Sequence, residues 1–336
     1  YNPFMKLICA PMATLSHPAF RILIEKFGGC DEYYTEMINA PSLLNGGQFE
    51  KYYIDPAPVP NKIVWQLTGK TSDSIIKVSS ILANTECIGI DLNMGCCAPD
   101  IVNSGAGIAW MLKPIKETQE LVSGVKKVLD DYESETKIHK RLSVKIRLGD
   151  DDFTDESFFS FCQMLKDCGV EQITVHPRTK KEKYREKPRW HYANELALRL
   201  KDVSVIVNGD IKDINSFKNV TSICPNCSGV MVGRAAVQKP WIFQELNCSD
   251  NPDELKKLSV DFLELALDFI DALEIYQPPE FWKTRMQRFF SYFCMNLSFS
   301  HFAKTQLLNS VDLNDARKRV KEYFEKVPSD RVKKIN

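Results

Sequence analysis

The sequence predicts an α/β protein in which a (β/α)8 TIM barrel is followed by a small all-helical domain. Three observations predict this fold. Short apolar runs alternate with amphipathic segments as far as Pro240, polar residues follow directly after those runs, and the alternation stops beyond Pro240. Repeated strand-then-helix order is typical of a parallel sheet with crossover helices.

Seven short apolar runs have the character of buried parallel strands, and residues 31–34 supply an eighth. The seven cover residues 7–10, 63–66, 88–92, 142–145, 173–175, 205–207 and 230–232. Amphipathic stretches between them predict helices over residues 72–83, 115–131, 156–168 and 192–200. Eight strands favour a closed barrel, and an open doubly wound sheet is the alternative.

Beyond Pro240 the pattern changes to helices alone. We expect helices over residues 253–276, 280–295 and 314–326, with no strands between them. The chain is therefore expected to contain a barrel domain, residues 1–245, and a helical domain, residues 250–336.

Composition indicates an ordinary globular enzyme rather than a disordered, fibrous or membrane protein. Of the 336 residues, 44% are apolar and 26% are charged, and no run reaches the length of a membrane span. The eleven cysteines are an odd number without a disulfide framework, which predicts reduced thiols and a cytoplasmic location. Cys224 and Cys227 resemble half of a zinc site, but no second half is present, so we expect no metal.

The charge distribution is uneven along the chain. The formal net charge is zero, which by itself argues against a nucleic-acid partner. Residues 280–336, however, carry 12 Lys and Arg against 6 Asp and Glu, whereas residues 1–135 carry 11 against 16. The last segment therefore has a charge of +6.

Polar residues follow nearly every expected strand, and the C-terminal ends of barrel strands are where barrel enzymes place their chemistry. Because all parallel strands end at one rim, we expect these residues to lie near one another. They are Pro11 with Met12, Glu36, Gln66, Asn93 with Cys96, Lys145 with Arg147, His176 with Arg178, Asn208 with Asp210, and Gly233 with Arg234.

Cys96 is the candidate reactive group, because it follows a strand and precedes a run of small residues at 104–107. An inert buried thiol is the alternative for any single cysteine. Gly233 and Arg234 could begin a short helix whose free N–H groups bind a phosphate.

Two pairs of cationic or basic residues alternate along strand ends, so the members of each pair point in one direction. Lys145 and Arg147 form one pair, for which a salt-bridged strand end is the alternative. His176 and Arg178 form the other, and they precede a basic loop that is either a solvated lid or a phosphate-facing loop.

Together these segments resemble the tRNA-dihydrouridine synthase family over roughly the whole chain. Several separate motifs occur in the family's order, and the barrel motifs are the more specific ones. The matching stretches are Ala10-Pro11-Met12-Ala13, Tyr34-Thr35-Glu36-Met37, Gln66-Leu67-Thr68-Gly69, Asp91-Leu92-Asn93-Met94-Gly95-Cys96, Lys145-Ile146-Arg147-Leu148-Gly149, His176-x-Arg178-Thr179, Asn208-Gly209-Asp210 and Gly233-Arg234.

The resemblance implies an FMN cofactor at the barrel mouth. The residues it assigns to the flavin ring and its surroundings are Pro11, Met12, Ala13, Gln66, Lys145 and His176, with Lys145 near the pyrimidine edge. Those it assigns to the ribityl-phosphate end are Asn208, Gly209, Asp210, Gly233 and Arg234.

The resemblance also implies the reaction and its partners. Uridine in tRNA would receive a hydride at C6 from reduced FMN and a proton at C5 from the Cys96 thiol, with NADPH as the expected reductant. Asn93, Arg147 and Arg178 match substrate-binding positions. The basic tail would bind tRNA through Lys283, Arg285, Arg288, Lys304, Arg317, Arg319 and Lys321.

Three positions depart from the family's usual residues. Cys97 stands where proline is usual, Asp100 where lysine is frequent, and Pro177 where glycine follows the histidine. Two alternatives therefore stay open: an FMN-dependent barrel oxidoreductase acting on a small pyrimidine or enone, and a catalytically idle RNA-binding homologue.

Overall fold

The computed structural model describes residues 5–335, apart from the side chain of Pro252. Residues 1–4 and 336, at the outer ends of the two expected domains, lie outside the described residues. The chain forms two compact units. The first comprises Tyr1–Pro11, Asp31–Ile211 and Asn219–Val232, and the second comprises Met12–Cys30, Lys212–Lys218 and Gly233–Asn336. The simpler division at residues 245–250 stays a prediction.

The first unit is a closed parallel barrel. Its strands are β1 (Lys6–Cys9), β2 (Glu32–Tyr34), β3 (Ile38–Asn39), β4 (Ile63–Thr68), β5 (Gly89–Met94), β6 (Arg141–Ile146), β7 (Gln172–Val175), β8 (Ser204–Asn208) and β9 (Gly229–Val232). They pair in the order β2-β1-β9-β8-β7-β6-β5-β4, and pairing of β2 with β4 closes the ring. The short β3 pairs with the end of β4. All eight expected strands are confirmed, and the open sheet is excluded.

The helices follow the strands in alternation. They are α1 (Pro18–Glu25), α2 (Ala40–Leu44), α3 (Glu50–Tyr53), α4 (Ser72–Ala83), α5 (Pro99–Asn103), α6 (Ala109–Leu112), α7 (Ile115–Thr136), α8 (Asp155–Asp167), α9 (His191–Arg199) and α10 (Ile214–Ile223). All four expected crossover helices are present. Helix α8 begins at Asp155 because Thr154 and Ser157 form a reciprocal capping box, with bonds of 3.1 and 3.0 Å.

Close backbone packing inside the barrel explains one glycine. Gly89 opens β5 and is paired with Val64 and Arg141 on its two sides. A Cβ atom at Gly89 would lie 2.0 Å from the carbonyl oxygen of Arg141. Any larger residue would therefore push β5 and β6 apart.

The second unit is mostly helical, but it also contains strands. Beyond β9 it comprises α11 (Arg234–Gln238), α12 (Ile242–Asn247), α13 (Pro252–Leu255), β10 (Ser259–Asp261), α14 (Phe262–Tyr276), α15 (Pro279–Phe293), α16 (Ser300–Leu308), α17 (Leu313–Lys326) and β11 (Val332–Lys334). The expectation of helices alone is therefore wrong in one respect. The expected helix over residues 253–276 is broken by β10, which pairs antiparallel with β11, and α16 was not anticipated.

Aromatic side chains fill the interior of this helical unit. The rings of Phe269 and Phe289 stack with centroids 3.7 Å apart, and Phe293 continues the stack from Phe289 at 5.2 Å. All three are fully buried, so α14 and α15 are held together largely by burial of aromatic surface. Over residues 5–335, the structure contains no helix that is both long and apolar enough to span a membrane.

A buried carboxylate fixes the turn between α15 and α16. Asp330 is 1% exposed and accepts bonds from the backbone N–H and hydroxyl of Ser298, both at 2.7 Å. It also accepts from the Tyr323 hydroxyl at 2.6 Å and pairs with Lys333 at 2.9 Å. Burial raises the pKa of Asp330, but these donors outweigh it and lower the pKa to about 2.

Candidate functional site

Strand register brings polar side chains of the barrel strands side by side. Gln66 of β4 is the direct partner of Asp91 in β5, and Asp91 is in turn the partner of Ser143 in β6. Two residues further on, Asn93 is the partner of Lys145. Because side chains two residues apart share one face of a strand, these residues form two successive polar layers of the barrel.

Hydrogen bonds join these layers into one chain of side chains. Ser143 donates to Asp91 at 2.8 Å, Gln66 donates to the other oxygen of Asp91 at 2.7 Å, and Asn93 donates to Gln66 at 2.8 Å. Burial raises the pKa of Asp91 to about 6, although the bonds from Gln66 and Ser143 oppose the shift. The chain fixes which oxygen and which nitrogen each amide presents.

The network continues into a second group of buried side chains in the barrel. The hydroxyl of Tyr34 lies 3.4 Å from that of Ser143 and accepts a bond from Gln172 at 2.5 Å. Arg141 forms a bidentate pair with Glu32 at 2.8 and 2.6 Å. Burial raises the pKa of Glu32, but the bonds and charge of Arg141 prevail and hold that pKa below its usual value. The barrel interior is thus polar, bonded and rigid.

Asn93 places Cys96. Its side-chain oxygen accepts from the N–H of Gly95 at 3.3 Å and from the N–H of Cys96 at 3.0 Å. On the other side of the loop, a Cβ atom at Gly107 would lie 2.6 Å from the Cys96 carbonyl oxygen, so only glycine permits this approach. Cys96 is half-buried, and burial raises the pKa of its thiol. The thiol is therefore protonated at neutral pH.

Lys145 presents an uncommitted ammonium group beside Asn93. Within residues 5–335 its side chain makes no hydrogen bond or ion pair. Burial, together with the positive charge of Arg147, lowers the pKa of Lys145 to about 8. An ammonium group held in this way favours a ligand that brings negative charge or acceptor atoms.

Arg147 supports the loop after β7. Its guanidinium donates to the carbonyl of Gly95 at 3.0 Å, of Thr179 at 3.3 Å and of Lys183 at 3.2 Å. It also lies 5.6 Å from the ring of Tyr184. Arg147 thus joins the Cys96 loop to the basic loop, a role that its predicted substrate contact did not include.

His176, Arg178 and Asp210 form one buried cluster. Arg178 is 1% exposed, donates to His176 Nε2 at 3.0 Å, and pairs with the carboxylate of Asp210. Because a guanidinium can only donate, Nε2 of His176 accepts, and the neutral ring carries its proton on Nδ1. Arg178 therefore orients His176, while its direct contact with substrate stays a prediction.

The segment after β8 approaches the same cluster. Gly209 has φ of +119°, and a Cβ atom there would lie 3.1 Å from the His176 ring. Its carbonyl accepts from the indole of Trp190 at 3.0 Å, and Asn208 donates to the Met231 carbonyl at 2.8 Å. The structure thus brings together the predicted site residues of β4 to β8 within the barrel unit.

The remaining predicted site residues lie at the boundaries of the two units. Pro11 directly follows β1 in the barrel unit, whereas Met12 and Ala13 begin a turn of the second unit, in which Met12 N–H donates to Ser16 at 2.9 Å. Gly233 caps α11, and Arg234 is its first residue. Cofactor contacts of these residues stay predictions.

The structure corrects part of the predicted tRNA-binding set. Arg285 is 2% exposed, so it is not available to a phosphate. Arg317 pairs with Asp271 and Glu274, and Arg319 pairs with Asp315 at 2.9 Å. The two latter side chains are thus already neutralised within the helical unit.

Sequence reasoning missed the interior network and the role of the Cys224 turn. A signal for the network was present, since Asp91 and Asn93, like Ser143 and Lys145, alternate along their strands. The thiol of Cys224 donates to the Trp190 carbonyl at 3.2 Å, which is a packing contact. In the described part of the chain, no three His, Cys, Asp or Glu residues are grouped as metal ligands.

Comparison with known proteins identifies the family. The family model described as Dihydrouridine synthase (Dus) matches residues 8–332. A probable tRNA-dihydrouridine synthase of Aquifex aeolicus is 29% identical over 324 residues, which are 96% of each chain. One of Helicobacter pylori is 29% identical over 80% of this chain and 76% of its own. A tRNA-dihydrouridine(47) synthase-like protein of Homo sapiens is 29% identical over 72% of this chain and 35% of its own. The resemblance found in the motifs is confirmed, and the chain belongs to the dihydrouridine synthase family.

Proposed function

We propose that this protein reduces uridine in tRNA to 5,6-dihydrouridine, with FMN as its bound cofactor and Cys96 as the proton donor. One observation carries the proposal. A thiol that is protonated at neutral pH is held by the buried Asn93, in the strand register that also sets Lys145 beside it. This arrangement suits proton donation to a ring that is being reduced next to a cation.

The residues of the barrel unit fit a flavin. The unpartnered ammonium of Lys145 suits the electron-rich pyrimidine edge of a reduced flavin. Gln66 and Asn93 present amides whose orientation the network fixes. Asn208, Gly209 and Asp210 are proposed to hold the ribityl-phosphate end, together with Gly233 and Arg234. Pro11, Met12, Ala13 and His176 complete the proposed cofactor contacts.

Saturation of the C5–C6 double bond of uracil requires one hydride and one proton. Bound reduced FMN supplies the hydride that C6 receives. The Cys96 thiol donates its proton to C5 and becomes a thiolate, which then recovers a proton from solvent. The raised pKa of Cys96 favours this role, because it keeps the thiol protonated before transfer and makes it a stronger base afterwards.

Asn93 and Arg147 are proposed to hold the substrate, directly for Asn93 and through the loop contacts for Arg147. A uridine within folded RNA must leave its stack to reach Cys96. NADPH is the proposed reductant of the flavin, and the cytoplasm is the proposed location. We propose the basic helical segment as the tRNA-binding part of the chain.

The test is mass spectrometry of nucleosides from unmodified tRNA after incubation with the protein, FMN and NADPH. We expect conversion of uridine to dihydrouridine in the wild type, and a loss of roughly 100-fold or more in Cys96→Ala with flavin content and flavin reduction unchanged. Cys97→Ala is the matched control and should retain activity. Loss in Cys97→Ala with full activity in Cys96→Ala would reverse the assignment.

The same experiment separates the alternatives. A protein that binds flavin and reduces it with NADPH, yet forms no dihydrouridine in tRNA, would support a small pyrimidine or enone as substrate. A protein that binds tRNA but no flavin would be an idle RNA-binding homologue.

A further inference from the structure

The surface formed by α15, α16 and the turn between them, here called the α15–α16 surface, carries no negative charge. Residues 281–311 contain no Asp or Glu, but they contain four Lys or Arg residues and His301. The two helices pack together, and Gln287 of α15 donates to the carbonyl of Leu308 in α16 at 3.0 Å. Within residues 281–311, no carboxylate is present to neutralise the positive charge of this surface.

Three cations of this surface are uncommitted. Lys283 and Arg288 are exposed, and Lys304 is half-buried. Across the described part of the chain, none of the three side chains makes an ion pair or a hydrogen bond. By contrast, Arg317 and Arg319 of α17 are engaged by carboxylates. Positive charge that remains available to a polyanion is thus present on this surface.

The same surface exposes two aromatic rings. Phe299 is 59% exposed and Phe302 is 47% exposed, and Met295 nearby is 57% exposed. Since residues three apart in a helical turn lie on one side, Phe299 and Phe302 point to the same side at the start of α16. Grouped exposed apolar side chains of this kind mark a binding surface.

The backbone that carries these rings is rigidly anchored. The N–H of Phe299 donates to the Tyr323 hydroxyl at 3.3 Å, and the preceding Ser298 is held twice by the buried Asp330. Lys333 fixes the carbonyl of Asn296 at 2.8 Å. A partner therefore meets Phe299 on an ordered turn, so little entropy is lost when its ring is used.

We infer that the α15–α16 surface binds unpaired nucleotides of the RNA substrate, with Phe299 and Phe302 stacking on bases and Arg288 and Lys304 contacting phosphates. The inference rests on the proposed function for its choice of RNA. Aromatic rings next to free cations match the two parts of a nucleotide, because every base has a π face and every linkage a negative charge. A second copy of the chain fits less well, since it would bring two unneutralised positive surfaces together.

The experiment measures binding of a fluorescent oligouridine and of an unmodified tRNA transcript to the full-length protein, by anisotropy at several salt concentrations. In Phe299→Ala/Phe302→Ala we expect oligouridine binding to weaken by about tenfold or more with an unchanged salt slope. Phe299→Leu/Phe302→Leu should weaken it nearly as much, because leucine is apolar but has no π face. Arg288→Gln/Lys304→Gln should instead lower the salt slope by about two.

Ile275→Ala is the matched control. Ile275 is 74% exposed but lies on α14 beside the exposed Glu274, so its loss should leave binding unchanged. Unchanged oligouridine affinity in the double Phe→Ala variant would overturn the inference, as would full retention by the Leu variant. A change of oligomeric state without a change of RNA affinity would assign the surface to self-association instead. Because binding is measured without turnover, an inactive Cys96 chemistry would leave this result interpretable.

Discussion

Replacement of Asp330 by asparagine tests how the helical unit is held together. Asp330 accepts from Ser298 and Tyr323 and pairs with Lys333, all inside the unit. Its pKa falls from an ordinary 3.8 to about 2 on folding. At roughly 1.36 kcal/mol per pKa unit, the ionised carboxylate stabilises the folded state by about 2 kcal/mol more than its neutral form does.

The pH dependence of that contribution has a definite sign. Because the folded pKa is lowered, the contribution is complete above pH 3.8 and is lost as the pH falls toward 2. The Asp330→Asn substitution removes the charge and places an amide N–H group among donors, so it should cost about 3 kcal/mol at pH 7. At a pH of about 3 the difference between the two proteins should shrink by about 1 kcal/mol.

Urea unfolding followed by helical circular dichroism, at neutral pH and at a pH of about 3, measures both values. Asp253→Asn is the control, because the Asp253 side chain is 85% exposed and its pair with Lys256 should contribute less than about 0.5 kcal/mol. A cost below about 1 kcal/mol for Asp330→Asn at neutral pH would refute the reasoning. So would a cost that is equal at the two pH values.

Two further predictions concern the barrel. Gly89→Ala should destabilise the protein by about 3 kcal/mol, because its Cβ would lie 2.0 Å from a backbone oxygen, whereas Gly46→Ala, with φ of +66° and open space, should cost about 1 kcal/mol; equal costs in urea unfolding would contradict this. Lys145 has a folded pKa of about 8 against 10.5, so its charge opposes folding below pH 8, and flavin-free wild type should gain about 3 kcal/mol relative to Lys145→Met as the pH rises from 8 to 10.5. A pH-independent difference between those two proteins would show that Lys145 is not perturbed.

Local pattern was sufficient to predict the barrel. The strands are short runs that are buried on both faces, and α4 matches its amphipathic stretch from Ser72 to Ala83 residue for residue. Both signals depend on neighbours within a few positions, which the sequence displays directly. The motifs likewise located the barrel residues from Gln66 to Asp210 that the structure brings together.

The helical unit was predicted less well because its structure depends on distant partners. β10 forms only because Ser259 pairs with Lys334 at the far end of the chain. A local cap signal was present, since Asp261 accepts from the N–H of Glu264 at 3.0 Å and starts α14. The burial of Arg285 and the ion pairs of Arg317 depend on tertiary packing that a charge count does not contain.

The anchoring of the Cys96 loop from below has a consequence for mutational tolerance. Asn93 fixes Gly95 and Cys96 through their backbone N–H groups, and its own amide is fixed by Gln66. Side chains beyond Cys96 take no part in that hold. The position after the reactive thiol can therefore drift in sequence, as Cys97 in place of proline illustrates, while the strand residues beneath it cannot.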